Sequence, residues 1–261
     1  MKEDSSESER PLTKSFSTDP QLAKIESEWM GSIRKALVVG LAVVWCLWQL
    51  WFAVTIPPAP VLFRSLHLAF GFAIAFLMYP GFRRIRPAWL RGVLDVALAL
   101  VAVWPLAHLI ANFVRPDVVR LIMPEQIDVV AGLTIFAMII LVNWRVGGPP
   151  LALTAAVFLA YMFYGSSLPT PWGHSGTYMT PQIISGLYLK LDTGILGVAT
   201  SAAANLIFPV LFFGSTLIAY GAGDFLSNLT TAALGRLRGA PAKIAVVASA
   251  GFASITGTGP A

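Results

Sequence analysis

A chain of 261 residues with 56% hydrophobic and 12% charged residues is not an ordinary soluble domain, where about a quarter of residues are charged. The net charge is +5, yet seven of the 13 acids lie within the first 28 residues, so the rest is more basic than the sum shows. The arginines sit between apolar runs, which argues for orientation in a membrane rather than nucleic-acid binding, and the single Cys46 excludes a disulfide framework.

Residues 1–30 are polar, acidic and Ser-rich, without the layout of a cleavable signal peptide. They cannot bury enough apolar surface to fold and read as a disordered cytoplasmic tail. Arg34 and Lys35 then precede the apolar run Ala36–Ile56, whose 21 residues make a helix of about 31 Å, enough to cross a bilayer core. Trp45, Trp48 and Trp51 recur every third residue, the spacing of a lipid-facing or helix-packing stripe. Pro57, Pro58 and Pro60 end this helix. Val61–Tyr79 is the second span, with Arg64 and His67 close enough to its first end to reach the interface.

An Arg-rich loop follows, with Arg83, Arg84, Arg86 and Arg91. Val93–Ile110 is the third span, and Asp95 at its start is placed to pair with Arg91. A polar loop leads to a short fourth span, Val129–Val142, closed by Trp144 and Arg145. Gly147-Gly148-Pro149-Pro150 turns the chain into a fifth span ending near Tyr164. Within the loop that follows, Pro181–Leu191 carries apolar residues at helical spacing and reads as a short helix lying in the interface. The uncharged run Thr193–Gly223 holds the sixth span. Asp224 is placed to cap a surface helix that ends near Gly235 or Gly239.

Orientation follows from the basic residues. With the N-terminus cytoplasmic, ten Lys and Arg fall in inner loops, from Arg34 to Lys243, and four in outer segments: Arg64, Arg115, Arg120 and Lys190. The expected fold is therefore an all-α integral membrane protein with about six transmembrane helices and a C-terminal re-entrant half-hairpin. No enzyme constellation is visible: His67, His108 and His174 lack metal spacing, and no phosphate loop occurs, so no catalytic residue, metal site or cofactor is assigned.

The chemistry concentrates in the last stretch. Pro241 suits the first turn of a helix, and the small-residue apolar run Ile244–Ser254 follows. It breaks at Thr256-Gly257-Thr258-Gly259, with Pro260 placed to start another helix. A helix C-terminus offers free carbonyls and partial negative charge, to which Thr256 and Thr258 add hydroxyls; these are the hard oxygens a dehydrating Na⁺ needs. Broken helices beside a cavity are how many secondary transporters build an ion site. The alternative is a plain transmembrane helix kinked at glycine. The candidate ion-binding residues are Thr256, Gly257, Thr258 and Gly259, and the substrate-binding residues are not assigned.

Several segments together resemble the fused permease of tripartite ATP-independent periplasmic (TRAP) transporters. They are Arg64-Ser-Leu-His-Leu-Ala-Phe through Ala75-Phe-Leu-Met-Tyr-Pro80, Gly173-His-Ser-Gly, Asp192-Thr-Gly-Ile-Leu-Gly-Val, Phe212-Phe-Gly through Gly221-Ala-Gly-Asp-Phe, and Gly239-Ala-Pro-Ala-Lys-Ile-Ala-Val-Val-Ala-Ser. The family's first hairpin tip reads roughly G-S-I-S-G-S-x-x-A, and Ala253-Ser-Ile-Thr-Gly-Thr-Gly-Pro-Ala261 keeps its hydroxyls with Thr256 and Thr258 in place of serines. The resemblance implies that residues 31–145 correspond to the family's four-span small part. Residues 146–261 would then be only the beginning of its twelve-span large part, so the chain looks truncated and non-functional alone. It also implies Na⁺ as coupling ion, and an organic acid (carboxylate) substrate handed over by a periplasmic binding protein. The lipid bilayer and the missing remainder of the large part would be the other partners, and the location a bacterial inner membrane with the N-terminus cytoplasmic. A stand-alone membrane scaffold or accessory subunit without transport activity is the alternative reading.

Overall fold

A computed structural model describes residues 32–56, 58–81, 88–113, 123–169, 171–173, 179–236 and 239–256. The expected tail at residues 1–30 lies outside the described residues. Those described are helical, with no strand among them. The helices are α1 (Ser32–Val54), α2 (Pro60–Met78), α3 (Ala88–Phe113), α4 (Gln126–Val146) and α5 (Pro149–Tyr164), the last followed by a 3₁₀ turn at Gly165–Ser167. Then come α6 (Thr180–Ile184) with a π-helical turn at Ser185–Leu189, α7 (Val198–Ala219), α8 (Ala222–Leu234) and α9 (Ala240–Thr256). Among the described residues, six helical stretches are long and apolar enough to cross a membrane: Arg34–Val54, Pro60–Met78, Trp89–Asn112, Gln126–Val146, Pro149–Ser167 and Val198–Ala219. The expectation of an all-α fold with six spans is met.

Local chemistry sets the boundaries. Pro60 and Pro149 stand at the starts of α2 and α5, where a missing N–H costs nothing. Gly221, at φ 83°, takes the left-handed conformation that turns α7 into α8. Its position corrects the expected cap: Asp224 lies inside the first turn of α8, where a carboxylate still favours the helix dipole. The fourth span is also longer than expected. The Glu125 N–H donates to Asp128 Oδ2 at 3.0 Å, tying down the first turn and carrying the helix three residues earlier than Val129.

α1–α4 run up and down. α2 packs along α3, α3 along α4, α1 on α2 and α5 on α4. The core is one cluster that includes Phe72, Phe76, Ala102, Leu106, Ile135, Ile184, Tyr188 and Leu196. Three of these come from residues 183–197, so the segment expected to lie in the interface is instead driven into the bundle. Ile184 and Tyr188 are fully buried, and a Cβ on Gly132 would come within 2.6 Å of Ile184 Cγ2. The loss of apolar surface to water or lipid contact favours this insertion over an interfacial position.

α7 is not a regular α-helix. The Phe208 N–H donates to Ala203 O, five residues back, in a π-turn over Ala203–Ile207. Pro209 follows directly and brings no N–H to the ladder, which is the identifiable cause of the irregularity. α7 touches the bundle through Phe208, whose ring lies 4.9 Å from that of Trp45 and 6.0 Å from that of His67. Only 11% of its apolar window is buried, against 44% for α2, so α7 is held lightly along most of its length.

Candidate functional site

The expected ion site depends on α9. Pro241 is its second residue, Gly239 before it has φ 73°, and the Lys243 N–H closes the first turn on Gly239 O at 3.4 Å. α9 packs on α8 and α7; a Cβ on Gly251 would meet Leu226 at 3.9 Å, an ordinary contact. The helix runs through Thr256, slightly further than the expected Ile244–Ser254. Gly257, Thr258 and Gly259 lie outside the described residues.

Buried polar chemistry is gathered in the bundle, at its two ends and between them. At the first end, Asp95 on α3 is fully buried between two guanidiniums. Arg34 from α1 donates to Oδ2 at 2.9 Å, and Arg145 from α4 donates to Oδ1 at 2.8 Å. Each arginine also reaches the carbonyl end of α2: Arg34 Nε to Leu77 O at 2.6 Å, and Arg145 Nη1 to Tyr79 O at 3.2 Å. The Arg145 guanidinium lies 5.0 Å from the Phe76 ring centre. Gly81 leaves the room: a Cβ there would overlap the Arg145 guanidinium. Asp95 thus finds partners on α1 and α4, where sequence spacing pointed to Arg91.

At the second end, His108 Nε2 donates to Asp128 Oδ1 at 3.0 Å, joining α3 to the capped start of α4. Asn112 Nδ2 donates to His108 O at 2.8 Å and holds the same turn. On the same side, Arg64 Nη1 donates to Leu191 O at 3.1 Å and to Leu196 O at 2.7 Å. Between α1 and α2, the Gln49 amide donates to His67 Nδ1 at 2.6 Å, and both side chains are buried. His67 was expected to reach the interface. It faces α1 instead, with Trp45 edge-on at 5.2 Å. Among the described residues no group of three His, Cys, Asp or Glu could hold a metal ion.

Sequence reasoning missed Gln49, Asp128 and Tyr188 as bundle-forming polar groups. Gln49 and Tyr188 carried no signal beyond a polar atom in an apolar stretch. Asp128, three residues after Glu125, was legible as a helix-start pattern.

Residues 133–261, just under half of the chain, match the family described as tripartite ATP-independent periplasmic transporter, DctM component. The match begins inside α4 and takes in α5–α9. This stretch is therefore similar to the DctM-type permease, a transporter component. No curated protein and no solved structure matches the chain.

Proposed function

We propose that this chain is a permease component of a Na⁺-coupled secondary transporter, importing organic acids that a periplasmic binding protein delivers. The match of residues 133–261 to the DctM component carries the reading, and the six spanning helices support it. The membrane would be a bacterial inner membrane, with the N-terminus and the Arg34–Asp95–Arg145 end of the bundle cytoplasmic. The excess of Lys and Arg in the loops of that end supports this orientation.

In this reading Na⁺ binds at Thr256–Gly259. The carbonyls that end α9 and the hydroxyls of Thr256 and Thr258 supply the ligands. Thr258→Val keeps the side-chain shape and deletes one oxygen. A hydrogen-bonding group facing a charge contributes about 1.5–3 kcal/mol, so the Na⁺ concentration for half-maximal uptake rises by roughly ten- to a hundredfold at unchanged expression. Thr231→Val, on exposed α8, serves as control. Uptake measured against Na⁺ in proteoliposomes with the binding protein is the test. Unchanged Na⁺ dependence in both Thr256→Val and Thr258→Val removes the hydroxyls from the site.

A further inference from the structure

Arg64 is a guanidinium inside an apolar span, partly buried, whose hydrogen bonds go to two backbone carbonyls, Leu191 O and Leu196 O. Those carbonyls belong to a turn closed by several hydrogen bonds. The Ile195 N–H donates to Leu187 O at 2.7 Å, and the Gly197 N–H donates to Gly194 O at 2.8 Å. Thr193 Oγ1 donates to Gly186 O at 2.9 Å, and Thr200 Oγ1 donates to Ile195 O. Only glycine fits at 194, because a Cβ there would overlap Leu187 O. Leu196 is 1% exposed, so the turn is plugged into the bundle from one side and held by Arg64 from α2. One residue beyond it, α7 begins at Val198, 76% exposed, and leaves the bundle almost bare.

We propose that Arg64 is a positioning residue for α7: by holding Leu191 O and Leu196 O, its guanidinium fixes where the lightly packed helix leaves the bundle. A charged donor suits the task. Two carbonyls converging on one point repel each other unless a donor lies between them, and a donor carrying charge makes the stronger bond. The bundle itself does not need Arg64, since its core is the cluster around Phe72, Phe76, Leu106 and Ile135. Tyr188, whose hydroxyl donates to Pro105 O at 2.6 Å, secures the preceding turn by a separate bond. Arg64 therefore acts on the direction of α7, and through it on α8 and α9, which pack on α7. This assignment does not depend on what the protein transports.

The test is a distance measurement with nitroxide pairs in a Cys46→Ser background, in lipid nanodiscs. One pair joins Leu100 on α3 to Val198 at the start of α7, and a control pair joins Leu100 to Val130 on α4; all three positions are exposed. The expected result is one narrow Leu100–Val198 distance that Arg64→Met, which keeps the aliphatic stem, disperses. Arg64→Gln, with an amide that still offers two N–H donors, restores the narrow distance, and the Leu100–Val130 distance is the same in every variant. Should Arg64→Met fail to fold, the Thr193→Val, Thr200→Val double variant loosens the same turn from its other face and is expected to disperse the same distance. A narrow Leu100–Val198 distance in Arg64→Met, or dispersion of both pairs together, overturns the assignment.

Discussion

Asp95 makes a demanding polar contact, because one buried carboxylate faces two guanidiniums. Removing it takes away the carboxylate that both Arg34 and Arg145 face. Asp95→Asn is therefore expected to cost about 3–5 kcal/mol, as when one partner of a buried ion pair is deleted. Arg34→Met should cost less, since Arg145 still neutralises the carboxylate and Arg34 is the more exposed of the two, 16% against 5%. Thermal unfolding of both variants in detergent checks the order, and equal losses would mean that charge balance is not what the site supplies. The Gln49–His67 bond makes a second residue-scale case. Gln49→Leu and His67→Leu should each cost about 1–3 kcal/mol by stranding the other polar group, while the double variant costs less than their sum. Strict additivity in that cycle would show that the two side chains do not depend on each other. The ionisable groups were legible in the sequence because they interrupt apolar runs. Their partners were not: Asp95 lies 61 residues from Arg34 and 50 from Arg145, and no local spacing links helices that meet only in the folded bundle.

Helices were legible wherever apolar length alone decides. α1, α2 and α5 fall where runs of about twenty apolar residues bounded by prolines place them. The fourth span was read too short because Asp128 and Arg145 were assigned to loops. Each has a partner inside the bundle, His108 and Asp95, and that partner draws its polar end into the helix. The segment from Thr180 to Leu189 was misplaced for the opposite reason. Its helical spacing is real, but spacing cannot say whether an apolar face meets lipid or protein, and a notch at Gly132 decides in favour of protein. Tyr188→Phe keeps the ring in the core and removes the hydrogen bond to Pro105 O, so a loss of about 1 kcal/mol is expected. Tyr188→Ala should cost several times more, by opening a cavity among Leu106, Ile135 and Ile184. Similar losses for the two variants would place the value of Tyr188 in its hydroxyl rather than in its ring.

Across the whole molecule, the hydrogen bonds sort the helix ends into two groups. Arg34, Tyr79, Asp95 and Arg145 share one end; Arg64, His108, Asp128 and Leu191 mark the other. Which end faces the cytoplasm is a separate question, answered in our reading by the loop charges. Single cysteines at Val146 and Ser167, both exposed, should report it in a Cys46→Ser background. Ser167→Cys is expected to react with an impermeant thiol reagent in intact cells, and Val146→Cys only after permeabilisation; the opposite pattern inverts the topology. Gly81 is unsuitable for such a label, because any side chain there meets Arg145. The proposed hairpin tip rests on the sequence, where Thr and Gly beside prolines at the end of an apolar helix are a local signal; Gly257, Thr258 and Gly259 lie outside the described residues. The substrate was not legible, because a binding site has to be assembled from separate segments. The most direct measurement of the central claim is uptake of a labelled organic acid by the permease carrying this sequence, in proteoliposomes with its binding protein. The expected result is accumulation under an inward Na⁺ gradient that disappears when K⁺ replaces Na⁺ or when the binding protein is omitted. Accumulation that persists without Na⁺ and without the binding protein would contradict it.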